Sequence, residues 1–192
     1  MNGEDQAELD CRLITAIDER GDMSGQIRKL IEEGADRDAE DSWGRTPLIY
    51  AARMGNTDAV KLLISAGTDV NRKNFEGASP LSKAALYGHL DCIKLLLEAG
   101  ADVCACDCDG YTALMWAAGG VNIECMRMLI EAGADIDMKN KGGETAGDVL
   151  KRRDAKQHAK HMDELEGFAL FVKRLKDEDI KDHSGTGYEF DL

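Results

Sequence analysis

A period of 33 residues runs through this chain and decides most of what it can fold into. Gly34, Gly67, Gly100 and Gly133 mark it, inside the near-identical phrases EEGADRDAED, SAGTDVNRKN, EAGADVCACD and EAGADIDMKN. A second ladder keeps the same step at Gly44, Gly77, Gly110 and Gly143. Helix-opening phrases follow these glycines: RTPLIYAA, ASPLSKAA, YTALMWAA and a decayed ETAGDVL. Fixed-period self-similarity of this length belongs to stacked supersecondary units, none of which buries its apolar face alone. Such stacks usually bind rather than catalyse.

Each unit reads physically as helix, turn, helix, hairpin. Thr46 stands where a side-chain oxygen caps a helix, and Pro47 where the first turn tolerates a missing N–H. Leu48, Ala51 and Ala52 follow at helical spacing, and Gly55 supplies a left-handed stop. A second helix opens at Thr57 or Asp58, carries Val60, Leu62, Leu63 and Ile64 on its face, and ends at Gly67. The polar stretch 69–76 suits a hairpin returning to Gly77. The pairs Ala51/Ala52, Ala84/Ala85 and Ala117/Ala118 let neighbouring helices approach closely. These spacings predict helix pairs at 46–54/57–66, 79–87/90–99 and 112–119/122–132. Val121 stands where the earlier units have Gly55 and Gly88, which predicts that Gly119 and Gly120 take over that turn.

The stretches TPLIYAARMGNTDAVKLLISAGTDVN and SPLSKAALYGHLDCIKLLLEAGADV resemble ankyrin repeats nearly position by position. The resemblance implies an all-α solenoid of stacked helix-turn-helix units joined by β-hairpin loops, closed by a C-terminal capping helix. It spans residues 11–153, with units near 11–43, 44–76, 77–109 and 110–142 and a partial unit at 143–153. The first unit lacks the TPLH-type phrase, as expected where an outer face meets water. Residues 1–10 read as a flexible segment, and 177–192 as an acidic, flexible tail. Between them, 154–176 carries Met162, Leu165, Ala169 and Val172 at helical spacing. That helix either caps the last unit or docks a partner. The final Phe190-Asp191-Leu192 has the alternating apolar pattern that a PDZ-type groove reads.

A chain of 192 residues, 43% of them hydrophobic, fills one elongated stack without a second large core. Its formal charge of −13 repels phosphate backbones and disfavours nucleic acid. A protein partner is expected instead, offering a basic or amphipathic segment to a chain that is monomeric alone. No run approaches the ~20 apolar residues that cross a membrane. The acidic opening MNGEDQAELD lacks the apolar core of a secretory signal. Six cysteines without a disulfide-framework spacing point to a reducing compartment, the cytoplasm or the nucleus.

Catalytic chemistry finds no foothold. There is no G-x-S-x-G elbow, no glycine loop before a lysine and no H-E-x-x-H, so neither an enzyme nor a cofactor is expected. Asp36, Asp69, Asp102 and Asp135 share one slot, where a recurring carboxylate accepts backbone hydrogen bonds at the hairpin entry. Cys104, Cys106 and Cys108 alternate in VCACDCDG and raise a second reading, a metal- or redox-responsive module. Their spacing is not that of a closed four-ligand site, so exposed hairpin positions without a metal are the expectation.

The aromatic residues of the repeats avoid the aliphatic slots. Trp43 and Phe75 fall on the hairpin limb and Tyr111 follows the glycine of its unit, while Tyr50 and Trp116 share a slot on the first helix and Tyr87 lies at such a helix's end. By the ankyrin resemblance these slots line a concave groove, and Arg45, Arg53, Met54, Glu76, Leu86 and Asp109 belong to the same surface. Aromatic, Met and Arg side chains are the types that anchor protein interfaces.

Overall fold

The computed structural model describes residues 3–18 and 24–157, together with Leu170 and Val172. The chain divides into two compact units, residues 1–155 and 156–192. The first unit opens with α1 (Gly3–Asp18), α2 (Ser24–Glu32), α3 (Pro47–Met54), α4 (Thr57–Ser65) and α5 (Pro80–Tyr87). It continues with α6 (Leu90–Glu98), α7 (Ala113–Gly119), α8 (Ile123–Glu131) and all but the last two residues of α9 (Ala146–Gln157). The predicted helix pairs are present, with boundaries within a residue or so. Residues 3–10, read from sequence as flexible, form the first half of α1. The C-terminal readings from His158 onward, the capping or docking stripe and the tail, lie outside the described residues except at Leu170 and Val172.

Helix starts follow the side chains. Thr46, Ser79 and Thr112 each accept the backbone N–H three residues on, from Ile49, Ser82 and Met115. Pro47 and Pro80 occupy the first helical positions behind them. At α9 the same slot holds Thr145, which trades bonds with Asp148 in both directions. Those bonds draw the Asp148 carboxyl below its ordinary value.

Packing proceeds in two layers. First helices stack along one row, α1 on α3, α3 on α5 and α5 on α7; second helices form the other, α2 to α4 to α6 to α8. The alanine pairs Ala51/Ala52, Ala84/Ala85 and Ala117/Ala118 are fully buried between first helices, where larger side chains would push the rows apart. Second helices bury three repeating slots: Ala59, Cys92 and Cys125; Val60, Ile93 and Met126; Leu63, Leu96 and Leu129. Leu62 and Leu95, one position earlier, are only half-buried, so the aliphatic seam is narrower than the run of apolar letters suggests. Cys92 and Cys125 serve there as small apolar groups. Burial pushes both thiols up, Cys125 to about 11, which leaves them unreactive.

The turn at Val121 differs from expectation. Gly119 ends α7 and Gly120 stays right-handed, while Val121 itself takes the left-handed conformation at φ 57°. At the equivalent positions Gly55 and Gly88 have φ of 71° and 77°. There glycine is doubly required, since a Cβ would strike the His89 ring at Gly55 and the Asn122 amide at Gly88. Gly120 is instead reserved for contact, with the Leu86 carbonyl lying where its Cβ would go. A turn must still follow α7, so the β-branched residue adopts it at a cost of about 1–3 kcal/mol.

Candidate functional site

The hairpins rest on one slot that sequence reading did not single out: Asp41, Asn74, Asp107 and Asn140. Each side chain accepts the backbone N–H four residues on, from Arg45, Ala78, Tyr111 and Glu144, at 2.8–2.9 Å. In the first three the N–H two residues on joins it. The backbone closes the same loop from the other side, with Asp41, Asn74, Asp107 and Asn140 donating to the carbonyls of Arg45, Ala78, Tyr111 and Glu144. The signal was present, since an Asp or Asn recurs at the 33-residue step just before each glycine of the second ladder. Successive hairpins are then joined by single backbone bonds: Phe75 N–H to Trp43 O, Cys108 N–H to Glu76 O, and Lys141 N–H to Asp109 O. Sheet structure among the described residues is accordingly slight, an isolated antiparallel bridge between Cys106 and Thr112. Gly77 has to lie at φ 79°, and a Cβ there would meet Asp107 and Cys108 backbone at 2.8–3.0 Å.

A second recurring frame ties unit to unit. Asp36, Asp69, Asp102 and Asp135 each accept the N–H two residues on, the task expected of that slot. Two residues later, Asp38 accepts from Asp69 N–H and from the Thr68 hydroxyl, and Asn71 from Asp102 N–H. Asn71 also donates to Gly100 O at 3.2 Å. For the first unit, α1 supplies the substitute: Asp10 accepts from Asp36 N–H at 2.7 Å and Gln6 donates to Gly34 O at 3.0 Å. The N-terminal helix thereby does the bridging work of a preceding hairpin.

Onto this frame the variable side chains are set. At the first hairpin Asp41 Oδ2 receives Arg45 Nε at 2.8 Å, Arg45 Nη2 at 2.7 Å and the Tyr50 hydroxyl at 2.8 Å. The Arg45 guanidinium lies over both aromatic rings, 4.3 Å from the Trp43 centroid and 4.7 Å from that of Tyr50. Burial acts to raise the Asp41 carboxyl. Hydrogen bonds from the Arg45 side chain, the Arg45 and Trp43 amides and the Tyr50 hydroxyl outweigh it and hold the group at about 2. This is a rigid wall, charged internally and satisfied.

Beyond the wall opens a cleft of about 290 Å³, lined by Trp43, Arg45, Tyr50, Arg53, Glu76 and Tyr87 of the predicted surface, and by Ile49, Asn74 and Lys83. Lys83 holds the slot that Tyr50 and Trp116 occupy in flanking units, and the aromatic pattern hid it. Trp43 and Tyr87 are 61% and 50% exposed on the rim. His89 stacks on Tyr87 with centroids 6.3 Å apart and contacts the Arg53 carbonyl, fixing the end of α3.

The rest of the predicted surface is placed elsewhere. Phe75, 70% exposed, packs its ring over Gly44, and Met54, Leu86 and Asp109 lie outside the cleft lining. Tyr111 and Trp116 are half-buried against each other, centroids 5.2 Å apart. Trp116 Nε1 donates to Asp107 at 2.9 Å, and Tyr111 meets Glu144 and Arg152 at 3.3 and 3.4 Å. These two rings shield the repeat edge rather than stand free. The cysteine triplet does not converge: the Cys104 thiol turns to Gly133 O of the following unit and the Cys108 thiol to Phe75 O of the preceding one.

A family model for ankyrin repeats (3 copies) matches residues 13–107 and 66–140, more than half of the chain. The chain belongs to the ankyrin repeat family. Comparison with curated proteins returns no match. Ankyrin repeats are protein–protein interaction modules in general and typically non-enzymatic. In this ankyrin repeat protein no helix among the described residues is long and apolar enough to cross a membrane.

Proposed function

We propose that this chain is a non-enzymatic adaptor, monomeric alone, that holds a segment of a protein partner along its hairpin and first-helix face. The cleft carries the reading. There, exposed Trp43 and Tyr87 flank a pre-formed Arg45 wall that the aliphatic core does not use. Rigid aromatic rims beside a fixed guanidinium are what interface anchors are made of, because little side-chain entropy remains to be lost on binding. The charge of −13 favours approach by a basic or amphipathic partner. Free thiols at all six cysteines fit the cytoplasm or the nucleus as the place of action.

The test compares the two faces. A partner recovered with the full chain from reducing extract is titrated against variants whose folding is checked by circular dichroism. Trp43→Ala or Tyr87→Ala is expected to weaken binding by about 2 kcal/mol. Lys61→Ala and Lys94→Ala, on exposed second-helix positions, are expected to leave it unchanged. Equal losses from both faces would defeat this reading.

A further inference from the structure

The sign of the cleft is opposite to that of the chain. Against a total of −13, its lining holds three cations, Arg45, Arg53 and Lys83, and one carboxylate, Glu76. Arg45 is neutralised by Asp41 at 2.7 Å and capped by two rings, so its charge is taken. Arg53 and Lys83 form no ion pair among the described residues, and the Lys83 ammonium lies 5.8 Å from the centroid of the neutral Trp116 ring. Two half-buried cationic residues without an ion pair therefore line the cleft, and one lining carboxylate, Glu76, partly offsets them. That balance suits a single negative charge and not a phosphate dianion, which Glu76 would repel.

We propose that the cleft is a carboxylate anchor: it takes an Asp or Glu side chain of the partner segment between Arg53 and Lys83, with an adjoining apolar side chain against Trp43 and Tyr87. This deepens the adaptor reading and rests on it. The net field and the local contact act at different ranges. Long-range attraction brings in an amphipathic segment, and the cleft fixes its register by charge-assisted hydrogen bonds to one acidic residue. Partial shelter from solvent strengthens those bonds relative to an open surface pair.

The full chain is panned against random linear peptides, and enriched sequences are titrated by fluorescence anisotropy. The expected result is enrichment of a carboxylate residue beside an aromatic or aliphatic one. Converting that carboxylate to its amide weakens binding about tenfold, and so does the pair Arg53→Glu with Lys83→Glu, which instead selects Lys- or Arg-bearing peptides. The milder pair Arg53→Gln with Lys83→Gln gives the same loss should charge reversal unfold the chain. Lys61→Glu with Lys94→Glu has no effect. Binding that falls with Trp43→Ala yet ignores the amide and both charge variants overturns the carboxylate anchor and leaves the adaptor face standing. Enrichment by the unmodified chain of basic peptides that carry no carboxylate residue does the same. An absence of enrichment, or binding indifferent to Trp43 as well, overturns both.

Discussion

The hairpin at Asp41 and the hairpin at Asp107 have the same backbone and opposite surfaces. Both use a carboxylate to accept the N–H groups two and four residues on, and both offer the second oxygen to a side chain nine residues along the first helix. At Asp41 that side chain is Tyr50, joined by Arg45, and the aromatic rim stays open at a cleft. At Asp107 it is Trp116, the Arg45 slot holds Tyr111, and the two rings close on each other and on Glu144 with Arg152. Position in the repeat makes a slot available for recognition; the neighbouring side chains decide whether it is spent on packing. Two aromatic rings of the predicted groove are spent in this way.

Core positions set the scale, because the two regions share them. Leu96→Ala, at a fully buried slot, is expected to lower stability by about 2–5 kcal/mol, and the half-buried Leu95→Ala by about 1 kcal/mol, read from urea denaturation. A larger loss at Leu95 would reverse the assignment of the seam. The contrast itself is tested by two tryptophans. Trp116→Ala, which strands Asp107 and the Tyr111 ring, should cost about 2–3 kcal/mol of stability, whereas Trp43→Ala should cost under about 1 kcal/mol and act on binding. Similar destabilisation by both would remove the distinction between packed and open hairpins.

Charge gives a smaller and pH-dependent effect. Asn74 shows that an amide can hold the turn, so Asp41→Asn keeps the backbone bonds and loses the Arg45 pair. A carboxyl at about 2 in the folded chain, against an ordinary 3.8, contributes about 2 kcal/mol above that ordinary value. The unfolded chain takes up the proton first as pH falls, so the contribution declines below about pH 4 and is lost through about 2. Denaturation of wild type and variant across acid pH should show their difference shrinking; a constant difference would mean the pair is not the cause. Smallest is the turn after α7, where Val121→Gly should raise stability by about 1 kcal/mol through relief of the left-handed valine. A loss on this substitution would show that the Val121 side chain contributes more by packing than its backbone costs.

Sequence by itself determined the stack. The glycine ladders, the Thr46, Ser79 and Thr112 caps, Pro47 and Pro80, and the alanine pairs are local devices whose effect depends on a few neighbouring residues, so spacing alone discloses them. The recurring aspartates at Asp36, Asp69, Asp102 and Asp135 were legible for the same reason. What depends on residues about one period away was not. Bridges from Asp38 to Asp69 and from Asn71 to Asp102, and the use of α1 in place of a hairpin, join positions that only stacking brings together. The left-handed turn stays at the repeat position of Gly55 and Gly88, which Val121 fills, while Gly120 gives room to the Leu86 carbonyl, an approach made across units. Likewise the composition gave a net charge of −13 but not the cationic lining of the cleft, since which of Arg45, Arg53 and Lys83 is ion-paired depends on the tertiary neighbour each one meets.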